Sequence, residues 1–386
     1  MATSSPLTPR ERLLLALQGR IPDRVPVSPF VQEQYLSWYY PDRPVVDRVV
    51  DAVELAEALD FDLMAKHLGF MRPHFFRRSY PNWELRASEA FDGRLHRYRL
   101  EIETPRRTLM QEEAVEEAGA VTAGTVRVVT KHLLETREDI EAFLEHLPPL
   151  DDALRAEMRE TVARWRRIVG SRGVLAPWGF AGVFNFAAGL RGIEALFMDP
   201  TEDEPAYREF MSRIADAQCE YNRALAEAGA DCIGIQGHMA NAGTVSSAYF
   251  RRYVQEYEKR MIDGIHAAGA YSVYHNCGRA RRLYPNYREL GMTLWETVSE
   301  PPAGDNSLAE AKAALGDAVC LLGNLDQIHF LKTATPAEVA ERARAIVAVG
   351  KPGGRYIFAA SDFLETGTPL ANVVAMIGAA REEGWY

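Results

Sequence analysis

The chain has 386 residues, 47% of them hydrophobic and 25% charged, a balance that supplies a large core and excludes intrinsic disorder. Its 44 basic residues against 54 acidic ones leave a net charge of −10, which excludes a general nucleic-acid surface. Four scattered cysteines give no disulfide framework, Met1 to Leu7 lacks a basic region followed by an apolar one, and no apolar run approaches the ~20 residues that span a bilayer; a cytoplasmic protein with reduced thiols and no membrane partner is expected.

The segment Thr8 to Arg20 predicts a helix, with Thr8 as cap, Pro9 at the first helical position, Glu11 completing a capping box, and Leu13, Leu14 and Leu17 on one side. Next come a strand over Val25 to Phe30, a helix near Val45 to Leu59 and a strand over Phe61 to Leu68. Between Tyr80 and Val129 polar and apolar residues alternate, as in Tyr98, Leu100 and Ile102, with turns at Asp92-Gly93 and Pro105; this reads as an antiparallel β insertion over about 80–130.

From Val174 onward strands and helices alternate to the end. Strands are expected over Val174 to Trp178, Asp231 to Gln236, Tyr271 to Cys277, Met292 to Val298, Ala318 to Gly323 and Arg355 to Ala360. Helices are expected over Pro205 to Ala228, Ser247 to Ala268, Ala280 to Leu290, Leu308 to Leu315, Pro336 to Val349 and Leu370 to Glu383. With the two early strands this makes eight units, the requirement of a (β/α)8 TIM barrel. The expectation is therefore an α/β chain, 1–386 as one barrel domain with an N-terminal helical extension and the small β insertion. An open doubly wound sheet competes, but its dinucleotide version loses support because no G-x-G-x-x-G opens the first strand-helix unit.

In such a barrel chemistry belongs to the C-terminal strand ends. Tyr274-His275-Asn276-Cys277-Gly278 stands out, because residues two apart on a strand share a face and His275 and Cys277 can offer nitrogen and sulfur to one atom. The next strand ends in Trp295-Glu296-Thr297, where a carboxylate after an apolar run needs a partner. His275, Cys277 and Glu296 together suit Zn2+ with an open fourth position. Asp362, after the last strand, is a candidate fourth ligand or substrate contact. Asn324 and Asp326 begin a loop and serve either turn chemistry or the site. Cys219, Cys232 and Cys320 read as packing. The aromatic group Trp178, Phe180, Phe184 and Phe186, with Gln236, His238, Met239, Lys66 and His67, forms a candidate wall for a planar ligand, or a cover over the barrel top. Asp362, His238 and Asn324 are the candidate catalytic groups.

Five stretches resemble the uroporphyrinogen decarboxylase superfamily and, within it, the cobamide-dependent methyltransferases: Arg10 to Val27 (RERLLLALQGRIPDRVPV), Tyr274 to Gly278 (YHNCG), Glu300 to Lys312 (EPPAGDNSLAEAK), Gly323 to Gln327 (GNLDQ) and Gly367 to Asn372 (GTPLAN). They run the length of the chain, and the resemblance implies the same barrel. Uroporphyrinogen decarboxylases carry an R-Q-A-G-R segment after the first strand where this chain has Phe30-Val31-Gln32-Glu33-Gln34, which disfavours porphyrinogen decarboxylation. In the methyltransferase branch an H-x-C motif and a later Cys bind zinc; His275 and Cys277 match, and the later Cys aligns with Asp362. The zinc site of cobalamin-independent methionine synthase adds a Glu from an I-E-T segment, which Trp295-Glu296-Thr297 resembles.

Replacing a thiolate by a carboxylate makes zinc a stronger Lewis acid, which suits an ether oxygen. The resemblance thus implies a zinc-dependent, O-demethylase-type methyltransferase moving a methyl group from a methoxylated, aromatic substrate to the cobamide of a corrinoid protein. No D-x-H-x-x-G segment occurs, so the cobamide is expected on a partner. The other expected partners are a small-molecule methyl donor and, as candidate assembly, a homodimer. Two rivals stand beside it: a thiol-acceptor (coenzyme M-type) methyltransferase with zinc bound through Cys320, and a metal-free decarboxylase-like lyase using Asp362 or Asp326 with His275 merely packed.

Overall fold

The computed structural model describes residues 6–43, 48–66, 73–116, 128–179 and 181–386. The expected capping box forms at Thr8, whose hydroxyl accepts from the Glu11 amide while the Glu11 carboxylate accepts from the Thr8 amide, and a helix runs over Pro9–Leu17. Leu13, Ala16 and Leu17 fall on one helical face and are almost fully buried.

Eleven strands follow among the described residues: β1 (Leu63–Ala65), β2 (Glu84–Phe91), β3 (Leu95–Glu103), β4 (Thr108–Glu116), β5 (Val128–Lys131), β6 (Gly173–Leu175), β7 (Cys232–Gln236), β8 (Tyr271–His275), β9 (Leu294–Glu296), β10 (Cys320–Leu325) and β11 (Tyr356–Ala360). β7 to β11 form a five-stranded parallel sheet in sequence order, and β1 pairs in parallel with β6. Trp178 bridges to Gly234, which links the β6 end to β7.

The expected strand over Val25 to Phe30 is a correction. It makes only isolated parallel bridges, Val27 to Phe358 and Phe30 to Phe363, because Pro26 and Pro29 have no N–H to give a ladder. It still lies between β11 and β1: Phe358 N donates to Pro26 O at 2.8 Å and Asp62 N to Val27 O at 2.8 Å. Most of the other expected strands shorten to the residues given above; the one expected over Ala318 to Gly323 instead shifts to Cys320–Leu325 and takes in Asn324, and helices occupy Glu204–Glu227, Leu308–Leu315, Pro336–Gly350 and Leu370–Glu383. Helices Arg137–His146 and Asp152–Val169 add to the expected set. The second starts at Asp151, whose carboxylate accepts from the Leu154 amide, and buries Leu154, Met158, Val162, Trp165 and Val169 along one stripe. None of the described helices is long and apolar enough to cross a membrane.

Both faces of the parallel strands are buried, as crossover helices require. One face of each strand packs with the first helix in a cluster of Leu13, Ala16, Leu17, Met64, Val174, Ala176, Cys232, Val273, Leu294, Cys320, Leu322, Ile357 and Ala359. The alternate residues, Ile233, Ile235, Trp295, Leu321 and Phe358 among them, pack outward under the helices. Burying one such leucine is worth about 2 kcal/mol.

β2 to β5 form the antiparallel insertion. Its first turn is the expected Asp92-Gly93, where Asp92 Oδ1 accepts from Arg94 N and Leu95 N and Gly93 takes φ 93°. Its base joins the main core through Trp83, Ile102 and Leu109.

Candidate functional site

Counting on by two from the inner cluster toward the C-terminal strand ends reaches a polar layer: Met64 leads to Lys66, Ala176 to Trp178, Val273 to His275, Leu294 to Glu296, Leu322 to Asn324 and, through Gly234, Cys232 to Gln236. β8 places His275 beside Gln236 on one side and Glu296 on the other, each pair in register. Gly278, at φ 85°, turns the chain immediately after Cys277.

His275, Cys277 and Asp362 converge: among the described residues they form a group whose ligand atoms all lie within 4.8 Å of one another. His275 Nε2 stands 3.9 Å from Asp362 Oδ2, while His275 Nδ1 lies 3.3 Å from Glu296 Oε1. The two ring nitrogens thus face different carboxylates. Glu296, expected as the third ligand, sits outside the converging group; its other oxygen pairs with the buried Lys66 ammonium, which also lies 4.3 Å over the Phe30 ring.

Burial opposes charge on Glu296, but Lys66 and His275 outweigh it and hold the carboxyl down at about 2. Burial likewise opposes a charged His275, yet the contacts with Cys277 and Glu296 and the nearby Asp362 push the ring well above its ordinary value. The field at this point favours a cation. Nitrogen, sulfur and carboxylate within such reach fit the donor set of zinc, whose tetrahedral ligands stand about 3.5 Å apart, and the Glu296 contact at Nδ1 is the orienting arrangement of a ligating histidine.

Trp178 stacks edge-on to His275 at 5.7 Å and lies 5.9 Å from Phe30, which also meets His275 and Phe363 at 6.3 Å each. The aromatic wall is therefore Trp178, Phe30 and Phe363. Phe184 is a correction: it is fully buried in a helix over Val183–Arg191 and packs on Phe197 and Tyr249, and Phe186 in the same helix packs on Phe75 and Phe76. The reason is helical spacing, which turns these side chains into the outer core. Phe180 and His67 lie outside the described residues.

His238 faces the site with its ring 6.4 Å from that of His275. Asn185 accepts from the Met239 amide through Oδ1 at 2.8 Å, which leaves its amide nitrogen to donate to His238 Nδ1 at 3.2 Å. The His238 proton therefore sits on Nε2. Burial, and after it the His275 charge, lower this ring below its ordinary value, so it is neutral at pH 7. Gln236 closes β7 half-buried. Asn324 is buried with Oδ1 unpartnered and borders a recess with Glu300, Asn306, Ser307 and Arg342. Asp326 spends its carboxylate on the Ile328 and His329 amides and the His329 ring, which is turn chemistry. Cys320 lies in the inner cluster, its thiol pushed up by burial to about 12.

Phe30, Phe363 and Asn185 are the site residues that motif spacing misses. Phe30 was within reach of the alternation rule, standing two residues beyond Ser28; Asn185 carries no local signal, because its role depends on a contact 53 residues away.

Sequence comparison with known proteins adds to this geometry. The chain is 26% identical over 206 residues to the methylcobamide:CoM methyltransferase MtaA of Methanosarcina barkeri, 53% of this chain and 57% of that protein. It is 22% identical over 265 residues to the methylcobamide:CoM methyltransferase MtbA of Methanosarcina acetivorans, 66% and 70% of the two chains. It is also 28% identical over 228 residues to the uroporphyrinogen decarboxylase of Syntrophotalea carbinolica, 57% and 62%. The chain thus spans little more than half the length of the first of these relatives. In structure it is similar to a methyltransferase from Methanosarcina mazei, with a TM-score of 0.68 at 18% identity, over 97% of this chain and 99% of that one. The family model for uroporphyrinogen decarboxylase (URO-D) matches residues 116–383, more than half of the sequence. With this match over the parallel strands β6 to β11 and the whole convergence of His275, Cys277 and Asp362, the chain belongs to the uroporphyrinogen decarboxylase (URO-D) family.

Proposed function

We propose that this chain is a methyltransferase that passes a methyl group from a methoxylated aromatic substrate to the cobamide of a separate corrinoid protein. The methyltransferase and corrinoid parts are supported by the names of its relatives, methylcobamide:CoM methyltransferases. The observation that carries the donor class is the carboxylate of Asp362 in the group formed with His275 and Cys277. In this reading His275, Cys277 and Asp362 hold a zinc ion, which supplies Lewis acidity toward an ether oxygen.

The chain's own residues do the rest. Glu296 fixes the His275 ring through Nδ1, and Lys66 keeps Glu296 ionised. Phe30, Trp178 and Phe363 hold an aromatic ring beside His275. His238, neutral with its proton on Nε2, donates a hydrogen bond to the departing phenolate oxygen as the C–O bond breaks and the methyl group leaves for cobalt. The reading places the site on a (β/α)8 barrel of one domain, 1–386; what supports closure is the sequence of parallel contacts from β1 round to β11 and on through Val27. Four free cysteines support a reducing cytoplasm.

The test mixes the enzyme with a corrinoid protein reduced to Co(I) and a panel of aryl methyl ethers. The corrinoid spectrum should change to that of methyl-Co(III) as free phenol accumulates, and uroporphyrinogen should not lose CO2. No cobalt methylation with any ether would end the proposal. The relatives' names favour one second reading, a thiol acceptor of the coenzyme M type; demethylation of a methylated corrinoid by a thiol, without ether turnover, would establish it instead. The role assigned to Cys320 in that reading finds no support, since its thiol is enclosed by the inner cluster.

A further inference from the structure

Helix Val183–Arg191 begins at Gly182, which has no side chain to cap it. Its first amides are nevertheless satisfied, by a residue 74 positions away. Glu258, fully buried on the helix Gln255–Ala267, accepts from Phe184 N at 3.2 Å, and the neighbouring Val183 amide also favours its charged form. Gly182 leaves the room for it, because a Cβ there would stand 2.7 Å from Glu258 Oε1 and 2.8 Å from Gln236 O. The second oxygen of Glu258 has no partner. A buried carboxyl is a costly way to cap a helix, and the contact has a consequence one turn later. The same helix carries Asn185, whose side chain holds both the Met239 amide and His238 Nδ1.

We propose that Glu258 is a positioning residue of the candidate site: its carboxyl grips the first turn of helix Val183–Arg191 and thereby fixes where Asn185 holds His238 and the 238–239 backbone. The inference rests on the reading of His238 as a site residue. A charged carboxylate accepts from amides more strongly than a neutral acid, so the grip tightens when Glu258 ionises. Burial raises that ionisation to about 7, against smaller opposing contributions from the two amides. The titratable groups facing Glu258 are Tyr274 on β8 and Cys219 on the helix Glu204–Glu227; the helix Val183–Arg191 faces it with backbone amides.

The test is nitrogen-15 NMR of the full chain, read at the Val183, Phe184 and Asn185 amides and at the His238 ring. Glu258→Met removes both acceptors at similar volume; it should speed exchange of the Val183 and Phe184 amides at least tenfold and shift the His238 ring signals. Glu258→Gln keeps an acceptor oxygen and should restore both toward wild type. In the wild type the two amide shifts should titrate near neutral pH, and in Glu258→Gln they should not. Exchange within twofold of wild type and an unmoved His238 ring in Glu258→Met would overturn the proposal. If Glu258→Met does not fold, the same amide titration in wild type and Glu258→Gln would overturn it. Failure of ether demethylation would remove the proposed reaction and leave these signals as they are, so the two ideas fail separately.

Discussion

The two ends of the parallel strands use the same charged chemistry to opposite ends. At the N-terminal end two buried acidic groups meet arginines: Asp62, fully buried, accepts from Arg12 at 2.6 Å and from Arg24 at 2.9 Å, and Asp231 lies between Arg10 and Arg166. Asp62 also takes the Val27 amide at 2.9 Å, so the network pins the proline-broken first segment to its neighbour. At the C-terminal end Lys66 neutralises Glu296, while His275, Cys277 and Asp362 turn toward one another with no arginine among them. A saturated network holds the chain together. An unsaturated one of mixed donors is what a ligand site would need, and the contrast is visible without reference to any relative.

The largest expected effect breaks the saturated end. Asp62→Ala leaves the buried Arg24 guanidinium without its carboxylate and Arg12 with Asp23 alone, and should cost about 3–5 kcal/mol in denaturant unfolding. A loss under about 1 kcal/mol would show that the network is not what stabilises this end. Zinc affinity, measured on whatever fraction folds, should be unchanged.

Next comes the other end. Cys277→Ala should remove most of a stoichiometric zinc while changing unfolding free energy by less than about 1 kcal/mol, because Cys277 is half-buried outside both hydrophobic clusters. Elemental analysis of wild-type protein from zinc-supplemented cells decides the matter, and metal-free protein there would remove the metal from the account.

A smaller effect sharpens the role of Asp362. Asp362→Cys should keep the metal and lower the rate of ether demethylation by about tenfold, since a second thiolate adds electron density where Lewis acidity is wanted. If Asp362 touches only substrate, Asp362→Asn should alter KM or kcat at unchanged zinc content. Unaltered zinc and kinetics in both variants would make Asp362 an ordinary strand-end residue.

The smallest expected effect is on pH dependence. Burial would raise the carboxyl of Asp231, but the hydrogen bonds from Arg10 and Arg166 prevail and lower it, and Arg12 does the same for Asp23. Stability from these pairs is full above the ordinary carboxylate range and is lost as pH falls below about 4 toward the lowered values. Glu258 has the opposite sign: raised to about 7, it contributes fully below the ordinary glutamate range and its contribution is lost as pH rises through neutrality. Arg10→Met should flatten the acid limb of the Tm profile and Glu258→Gln the neutral limb, each by about 2–4 °C. Parallel profiles for all three proteins would mean that neither group couples to folding.

Much of this was legible in the sequence, for identifiable reasons. The Thr8–Glu11 box, the helix ends at Leu315 and Glu383 and the Asp92-Gly93 turn depend on hydrogen bonds within a few residues. The nearness of His275 and Cys277 is expected from the two-residue repeat of a strand; β8 ends at His275, and Cys277 joins it from the segment just beyond. The first segment misleads, because its apolar pattern argues for a full strand while Pro26 and Pro29 withhold the N–H groups a ladder needs. Phe184 shows the limit: an aromatic just after a strand end looks like site wall until the helix that follows turns it away.

The sequence by itself determined the alternation of strands and helices, the caps, and the pairing of imidazole with thiol, because periodicity and local hydrogen bonding are short-range properties of the chain. Only the tertiary structure decided that Glu296 answers to Lys66 across 230 residues, that Asp362 rather than Glu296 joins His275 and Cys277, and that Glu258 caps a helix 74 residues before it. Each of these is made by which strand ends and helices are brought side by side, where a buried charge must find its partner.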